Sequence, residues 1–340
     1  MKILFFDMDQ MPREYFEAHP LPAKIKPVLF SESIQDVPEE MLKRHSDAEA
    51  ISVFVYSRLR PEIYKLFPRL RMVNTRSSGI NGILPDYCKK HGLQITTGGS
   101  YAGTAVPEFA MGLLLNLTRK ITFSNAKIRA GEVKITDDMG VDIGGKTIGI
   151  FGTGSIGAGF ARLAKGFGCE VVANDPYHNP MLDGVVKYAS ADTVLKQADF
   201  IILCCSSTPE NYHMINAKAI AKMKTGAFII NVARGDLIDS VALYHALRSG
   251  KIAGAGLDVL EQENLIIKND LDLAITKNYE SLLGSVVGNM IMALPNVIMT
   301  PHIAFNSLEA NKTRLGNAHS ALTEFAKGLK KPVPARAKKS

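Results

Sequence analysis

Six near-continuous apolar runs, separated by helix-like stretches, dominate the second half of the chain. The runs are TIGIFG (147–152), EVVAND (170–175), FIILCC (200–205), AFIINV (227–232), GAGLDV (254–259) and NVIMTP (296–301), and the helical patterns between them cover 155–167, 191–198, 216–223 and 239–249. Uninterrupted apolar runs are typical of strands that are buried on both faces. Strands that alternate with helices form a parallel sheet with right-handed crossovers. The pattern therefore predicts an α/β fold with a doubly wound parallel sheet.

The first hundred residues repeat this alternation more loosely, with strand candidates KILFFDM, SVFVY, RMVNT and LQITT. A long helical stretch at 103–131 follows them. A second one, at 307–328, lies beyond the last apolar run, and we expect it to return to the first half. Because 340 residues exceed the roughly 250–300 residues of one growing core, we predict two domains. One is expected to be discontinuous, with residues 1–101 and 300–340, and the other to comprise 102–299.

The charge balance argues against several classes of partner. With 46% hydrophobic and 21% charged residues, the composition is that of a soluble globular protein, and no apolar run reaches the ~18 residues of a membrane span. The net charge is +7, but the stretch AKGLKKPVPARAKKS alone holds six Lys or Arg and no acid. A nucleic-acid-binding domain carries its basic residues as a patch across the fold. We therefore interpret this stretch as a short solvated tail and expect neither a nucleic-acid nor a membrane partner.

The four cysteines, Cys88, Cys169, Cys204 and Cys205, show no spacing typical of metal ligands. Cys204 and Cys205 lie inside an apolar run, as expected of reduced residues in a buried strand. We therefore predict no metal site and a cytoplasmic location.

Three glycines follow the first of the six apolar runs. Gly152, Gly154 and Gly157 lie in GTGSIG, between a strand and a helical stretch. In a dinucleotide-binding turn the first glycine permits the tight bend, the second lets the backbone approach a pyrophosphate, and the third lets helix and strand pack closely. Asp175 ends the next run, where an acid accepts ribose hydroxyls and repels a 2′-phosphate, and the next three residues, PYH, include no arginine. The motif predicts an NAD site rather than an NADP site.

Further polar residues follow three other runs, at the edge where α/β sheets bind ligands. Arg234 follows one run, Asp258 is succeeded by Glu261 and Glu263 after the next, and His302 follows the last. Each has an ordinary structural explanation when it is taken alone. Together they supply a cation for a carboxylate, a titratable imidazole and an acid that tunes it.

The ordered set GTGSIG, NVARG, LDVLEQE and TPHIAF resembles the D-isomer-specific 2-hydroxyacid dehydrogenase family, and above all its D-lactate dehydrogenase branch. The resemblance covers nearly the whole chain. It implies a Rossmann NAD domain, 102–299, inserted in a smaller flavodoxin-like substrate domain, 1–101 and 300–340, and a homodimer. It also implies NAD-dependent reduction of a 2-oxo acid to the D-2-hydroxy acid, with pyruvate and D-lactate as the expected pair.

The resemblance assigns three catalytic residues. His302 would protonate the carbonyl oxygen during reduction and accept the proton in the reverse direction. Glu263, rather than Glu261, would hold and charge His302. Arg234 would grip the substrate carboxylate and polarise the carbonyl, which are the tasks that carbonyl reduction requires of a protein.

The resemblance also assigns binding residues. The cofactor positions are Gly152, Gly154, Ser155, Ile156, Gly157, Asp175, Cys205, Ser206, Asn211, Val232, Ala233, Arg234 and Asp258. The substrate positions are the backbone N–H groups of Ser78 and Gly79, the side chains of Tyr101, Arg234 and His302, and Phe54 and Phe305 on the apolar side of the pocket.

Two departures leave the substrate side chain open. Asn306 stands where family lactate dehydrogenases often have Tyr, and YAGTA stands where they have a proline-containing segment. A larger or phosphorylated 2-hydroxy acid is therefore an alternative, with Arg58 and Arg76 as candidate cations. An NAD-sensing, corepressor-like module that is not an enzyme is the alternative from another class.

Overall fold

The computed structural model of the chain describes residues 1–80, 82–132, 139–261 and 279–328. The chain divides into two compact units. The first unit comprises Met1–Tyr101 and Ser307–Ser340, and the second comprises Ala102–Asn306. The first unit is therefore assembled from two separate stretches of the chain.

A five-stranded parallel sheet forms the centre of the first unit. Its strands are β1 (Lys2–Phe5), β2 (Lys26–Leu29), β3 (Ala50–Val53), β4 (Met72–Thr75) and β5 (Gln94–Thr96), paired in the order β2-β1-β3-β4-β5. Its helices are α1 (Gln10–Ala18), α2 (Glu39–Lys43), α3 (Pro61–Lys65), α4 (Pro85–Lys90) and the returning α12 (Leu308–Ala326). This strand order is that of flavodoxin-like folds.

A seven-stranded parallel sheet forms the centre of the second unit. Its strands are β6 (Thr147–Phe151), β7 (Glu170–Asn174), β8 (Lys187–Tyr188), β9 (Phe200–Leu203), β10 (Ala227–Asn231), β11 (Ile252–Leu257) and β12 (Val297–Met299), in the order β12-β11-β10-β9-β6-β7-β8. Its helices are α5 (Ala105–Thr118), α6 (Ile121–Arg129), α7 (Ser155–Gly166), α8 (Ala191–Gln197), α9 (Ala217–Lys222), α10 (Ser240–Arg248) and α11 (Tyr279–Met292). The order reverses at β6, the strand that the three glycines follow, and ligands bind α/β sheets at such a switch point.

Each sheet is buried on both faces, as the continuous apolar runs predict. In β1, Ile3 and Phe5 belong to one apolar cluster, whereas Leu4 belongs to the cluster on the other face. In β9, Ile201 and Phe200 divide between two clusters in the same way. This alternation follows from the two-residue period of a strand.

Side chains cap several of the helices that cover these sheets. Ser190, Asn216, Asp239 and Ser307 accept hydrogen bonds from the first-turn N–H groups of α8, α9, α10 and α12. Such caps satisfy N–H groups that have no partner inside the helix. By contrast, α7 begins at Gly154, which has no side chain that could cap it.

Three of the differences between the structure and the sequence expectations have a direct physical cause. The edge strand β2 has no matching prediction, because Pro27 interrupts its pattern and proline is tolerated in a strand at a sheet edge. The stretch 103–131 forms two helices rather than one, since Lys120 adopts a left-handed conformation with φ 53° between α5 and α6. The second unit ends at Asn306 rather than at 299, because the residues after β12 are hydrogen-bonded to Asp258.

Among the described residues, no helix is both long enough and apolar enough to cross a membrane.

Candidate active site

The glycine-rich turn connects β6 to α7 in the second unit. Gly152 has φ +92°, and a Cβ added to it would lie 2.6 Å from the backbone nitrogen of Cys205. A Cβ on Gly157 would lie 1.9 Å from the Gly152 carbonyl oxygen, whereas a Cβ on Gly154 would meet no atom within 4 Å. Gly152 and Gly157 are therefore required by packing, and Gly154 leaves open space beside the first turn of α7. A helix N-terminus that is open in this way fits a pyrophosphate.

Asp175 is fixed beside this turn. Its Oδ2 accepts hydrogen bonds from the backbone N–H of Thr153 at 2.6 Å and from the Thr153 hydroxyl at 3.1 Å, and its Oδ1 accepts from the Tyr177 N–H at 2.8 Å. A carboxylate has about four acceptor sites, so one acceptor site is left for a ribose hydroxyl. The turn and this acid together fit the ribose and pyrophosphate of NAD. Thr153 escaped the sequence reasoning, because a threonine between glycines carries no signal of its own.

The loop after β9 holds three predicted cofactor residues. Asn211 donates to the Ser206 carbonyl at 2.8 Å and accepts from the Thr208 N–H at 2.7 Å, which closes the loop on itself. Cys205 packs against Gly152, and burial raises the pKa of its thiol to about 11. The thiol is therefore protonated at neutral pH and acts as packing rather than as a nucleophile. Ser206 is exposed, as is Ser155 at the start of α7, whereas Ile156 is half-buried.

The turn that carries Arg234 is shaped by a residue that the sequence reasoning missed. Asn231, fully buried at the end of β10, accepts from the Ala233 N–H at 3.0 Å and donates to the Arg234 carbonyl at 2.8 Å. Val232 and Ala233 are buried between them. The Arg234 side chain is half-buried, and its Nη1 donates to the Ala233 carbonyl at 2.5 Å. A polar residue at the end of an otherwise apolar strand is the signal that could have identified Asn231.

The loops after β10 and β11 touch at Gly235. A Cβ there would lie 2.1 Å from the carbonyl carbon of Leu260. The next residue, Glu261, accepts from His213 Nε2 at 2.9 Å, from the Tyr212 hydroxyl at 3.1 Å and from the Ser240 hydroxyl at 3.3 Å. Glu261 is therefore bonded within this loop cluster. Glu263 lies outside the described residues.

Asp258 shapes the loop that carries His302. Its side chain is 1% exposed and accepts from the Thr300 hydroxyl at 2.6 Å, from the Ile303 N–H at 2.9 Å and from the Ala304 N–H at 2.9 Å. The Asp258 carbonyl accepts from the His302 N–H at 2.9 Å. Burial raises the pKa of the Asp258 carboxyl, although these hydrogen bonds and His302 oppose that rise.

This network holds His302 in a left-handed conformation, with φ 57°. Such a backbone costs about 1–3 kcal/mol in a residue other than glycine and persists only where its surroundings over-determine it. Asp258, predicted as a cofactor residue, therefore also positions the imidazole. Phe305, three residues on, is half-buried against the apolar cluster of this unit.

The predicted substrate residues of the first unit follow β3, β4 and β5 at one edge of their sheet. The Phe54 N–H donates to Asp7 Oδ2 at 2.8 Å. Ser78 donates from its hydroxyl to the Gly99 carbonyl at 2.6 Å, and the Gly79 carbonyl accepts from the Ser77 hydroxyl at 2.7 Å. Tyr101, the last residue of this stretch, is half-buried.

The two arginines proposed for a phosphorylated substrate are engaged by the first unit itself. Arg76 is 0% exposed and donates to the carbonyls of Phe6 and Asp7 and to the Ser52 hydroxyl. Arg58 donates from Nη1 to the carbonyls of Val55 and Ser57. Full burial removes Arg76 from contact with a ligand, and the structure gives it a structural role instead.

The structure thus brings the cofactor candidates and the Asp258–His302 pair into the second unit, and Phe54, Ser78, Gly79 and Tyr101 into the first. Within the described ranges, no cluster of three His, Cys, Asp or Glu side chains has the arrangement of a metal site.

Comparison with known proteins agrees with this division. The family model described as "D-isomer specific 2-hydroxyacid dehydrogenase, NAD binding domain" matches residues 111–304. An aromatic 2-oxoacid reductase of Clostridium sporogenes is 39% identical over 257 residues, which are 75% of this chain and 76% of that protein. A D-lactate dehydrogenase of Treponema pallidum is 33% identical over 302 residues, 88% of each chain.

Solved structures are similar over nearly the whole chain. D-lactate dehydrogenase from Aquifex aeolicus, complexed with NAD and lactic acid, superposes with a TM-score of 0.83 at 32% identity and covers 96% of both chains. D-2-hydroxyisocaproate dehydrogenase superposes with a TM-score of 0.84 at 27% identity and covers 97% of this chain and 98% of its own.

Proposed function

Because this chain belongs to the D-isomer-specific 2-hydroxyacid dehydrogenase family and is an NAD-dependent enzyme of that family, we propose that it reduces short 2-oxo acids, pyruvate among them, to D-2-hydroxy acids. The observation that carries the proposal is the Asp258 network, which holds a strained His302 in the same unit as the glycine-rich turn. A buried carboxylate that is hydrogen-bonded to Thr300, Ile303 and Ala304, on both sides of one histidine, provides the fixed loop that an acid–base catalyst requires.

The reaction divides between the cofactor and the protein. NADH, when bound, supplies the hydride for the keto carbon. Arg234 holds the substrate carboxylate through charge-assisted hydrogen bonds, as a planar guanidinium can. His302 gives a proton to the keto oxygen as that oxygen gains charge, and it takes the proton back in the reverse direction. The backbone N–H groups of Ser78 and Gly79 are the further donors proposed for the carboxylate.

The acid that supports His302 is proposed to be Glu263. Its neighbour Glu261 already accepts from His213, Tyr212 and Ser240. Glu261 therefore already has an imidazole partner, His213, within its own loop cluster, which favours Glu263 as the partner of His302.

The chain is also proposed to act as a homodimer in the cytoplasm. Helix α6 has no buried residue, and Ile121, Phe123 and Ile128 on it are exposed, as is Met139, at 83%, in the segment that follows. Exposed apolar patches of this kind typically mark protein interfaces. The four cysteines are free thiols, which supports a reducing compartment. Light scattering tests the assembly, with an expected mass of twice 37.0 kDa.

The experiment for the proposed activity is steady oxidation of NADH by a 2-oxo acid at catalytic protein concentration, with chiral chromatography of the product. We expect many turnovers and a D product. Stoichiometric binding of NADH without turnover on any 2-oxo acid would support the NAD-sensing alternative instead.

A further inference from the structure

Arg314, on α12 of the first unit, is a buried cation that forms no ion pair within the described part of the chain. It is 5% exposed, and Nε donates to Asn311 Oδ1 at 2.7 Å. Its Nη1 is buried and has no hydrogen-bond partner among the described residues. Burial lowers the pKa of Arg314, whereas Tyr101 and Asp9 raise it, and a guanidinium stays protonated in proteins. The side chain therefore carries a full charge with unused donor capacity.

No acid among the described residues forms an ion pair with this guanidinium, although Asp9 raises its pKa. The buried acid of this edge, Asp7, accepts from the Ser33 hydroxyl at 2.8 Å, from the Phe54 N–H at 2.8 Å and from the Ser57 hydroxyl at 2.7 Å. A second buried cation, Arg76, follows β4 at the same edge. Burial and then repulsion from Arg314 lower the pKa of Arg76 to about 9, although Asp7 and Asp9 oppose this shift. Arginine is almost never buried unless it is paired. Within the described part of the chain, neither of these two buried guanidinium groups forms an ion pair with a carboxylate.

The guanidinium lies where the substrate side chain is expected. Its central carbon is 4.0 Å from the centroid of the Phe54 ring, and Phe54 and Tyr101 are residues assigned to the substrate pocket. Helix α12 is tied to the same edge, since Asn317 donates to the Gly98 carbonyl at 2.7 Å. Asn311, Arg314 and Asn317 are spaced by three residues, so they lie along one face of the helix.

A purely structural role does not explain why position 314 holds a charged side chain. A methionine or leucine would pack against Phe54 without placing a charge in the interior. Arg76 is engaged more fully, since it donates to three acceptors of the surrounding chain, although its Nε has no partner among the described residues. Arg314 donates to one amide oxygen, and that bond orients the guanidinium rather than neutralising it.

We propose that Arg314 binds a second carboxylate, at the end of the substrate side chain, so that 2-oxo dicarboxylic acids are preferred over pyruvate. The proposal rests on the proposed function, because that function places the substrate beside Phe54 and Tyr101. A planar guanidinium matches a carboxylate through two parallel N–H···O bonds. A doubly charged phosphate calls for more cations than Arg314 alone, and Arg76 is too buried to help.

The test compares acids that differ in the terminal charge. Values of kcat/KM are measured for 2-oxoglutarate, 2-oxohexanoate, pyruvate and phosphohydroxypyruvate, on the wild type and on Arg314→Met, Arg314→Lys and Lys312→Met. Lys312 is exposed on the same helix and serves as the matched control. The Kd of NADH and the Tm of each variant are measured in parallel.

We expect the wild type to prefer 2-oxoglutarate over 2-oxohexanoate by about 10- to 100-fold, the usual contribution of a hydrogen bond to a charged group. Arg314→Met should abolish or invert that ratio, mainly through KM. Arg314→Lys should retain part of it, and Lys312→Met all of it. An unchanged Kd for NADH and a Tm no lower than that of the wild type would show that Arg314→Met remains folded.

Three results would overturn the inference. If neutral 2-oxo acids are reduced and the ratio is the same in the wild type and Arg314→Met, the inference fails while the proposed function stands. If phosphohydroxypyruvate is preferred over 2-oxoglutarate, the assignment to a dicarboxylate fails. If no 2-oxo acid is reduced, the proposed function fails and the inference fails with it.

Discussion

At the carboxyl edges of the two parallel sheets, the charged groups that have a buried atom without a hydrogen-bond partner among the described residues differ in sign. They are Asp236 in the second unit, and Arg76 and Arg314 in the first. In the second unit, Asp175, Asp258 and Glu261 each accept hydrogen bonds from neighbouring N–H, hydroxyl or imidazole groups. In the first unit, Arg314 is buried with a nitrogen that has no partner among the described residues. Each edge is formed by the carboxyl ends of parallel strands and the loops that follow them. The difference therefore comes from the side chains of the loops and of α12.

The difference corresponds to what each edge is proposed to bind. A cofactor is the same in every turnover, so its site can be built in advance from carboxylates that are already oriented. By contrast, dehydrogenases that share a cofactor differ in the substrate side chain that they accept. A charge that is left unpaired there favours one substrate strongly, because an empty or neutral pocket leaves the buried cation uncompensated.

The largest effect is expected from His302→Asn, which removes the proposed proton donor and leaves the Asp258 network in place. We expect kcat to fall by about 10²–10⁴-fold in both directions, the usual contribution of general acid–base catalysis. Initial rates of pyruvate reduction and D-lactate oxidation measure it. His245→Asn, at an exposed position of α10, is the control. If His302→Asn keeps wild-type rates, the carboxyl edge of the second sheet, with its Asp258 network, does not supply the catalytic acid.

Arg234→Gln should damage turnover and substrate affinity while the Kd of NADH stays near normal. Loss of a two-bond, charge-assisted grip on the carboxylate should lower kcat/KM by about 10²–10³-fold. Steady-state kinetics and fluorescence titration with NADH separate the two properties. The exposed Arg248→Gln provides the comparison, and equal kinetics in both variants would remove Arg234 from the site.

The two buried arginines of the first unit should respond differently to removal. Arg76→Met removes the hydrogen-bond donor of the Phe6 and Asp7 carbonyls and of the Ser52 hydroxyl. We therefore expect the free energy of unfolding to fall by about 3 kcal/mol. Arg314→Met removes an unpaired buried charge and should change it by less than about 1 kcal/mol. Urea unfolding measures both. Equal losses would mean that Arg314 is as structural as Arg76.

Asp175→Ser should change the cofactor preference by a smaller amount. Loss of a charge-assisted hydrogen bond to the ribose should weaken NADH binding by about 10-fold. Removal of a carboxylate that repels a 2′-phosphate should also reduce the difference in affinity between NADH and NADPH. Titration with both cofactors measures the change. Asp183→Ser, at an exposed site, should behave as the wild type. A wild type that already prefers NADPH would contradict the role given to Asp175.

The smallest effect is expected at the opposite, amino edge of the second sheet. Burial opposes the charged form of Asp199, but the Thr147 N–H and Lys224 Nζ, each at 2.9 Å, outweigh it and lower the pKa of this carboxyl. A lowered pKa stabilises the fold at neutral pH, and this stability is lost as the pH falls through the folded value.

Asp199→Asn should therefore reduce the free energy of unfolding by about 1 kcal/mol at pH 7, and the difference should disappear in acid. Urea unfolding at pH 7 and pH 3 measures it, and kcat should not change. The exposed Asp192–Lys222 pair offers a control, Asp192→Asn, with a smaller difference. A difference that grows on acidification would mean that the pKa of Asp199 is raised by folding rather than lowered.

The sequence predicted those features that depend on local pattern. The six runs of the second unit form β6, β7, β9, β10, β11 and β12, because an uninterrupted apolar run can be recognised in the sequence without knowledge of the fold. The short edge strands β2 and β8 were missed, since partial exposure and Pro27 weaken their pattern. Within the site, the motifs identified residues of a characteristic type at a characteristic spacing, such as the glycines of GTGSIG, Asp175 and His302.

Residues whose importance comes from tertiary contacts were not predictable in this way. Arg314 looks like any arginine of a long helix until the structure buries it over Phe54. Asn231 and Thr153 act through backbone atoms that only the folded loops bring near. A single sequence identifies a buried strand, but it does not tell which polar side chains are left without a partner.

The most direct measurement is a crystal structure of the chain with NAD and D-2-hydroxyglutarate. We predict that the second carboxylate lies about 2.7–2.9 Å from the guanidinium nitrogens of Arg314, as in charge-assisted pairs. A second carboxylate that points to solvent, while Arg314 stays unpaired over Phe54, would contradict this assignment.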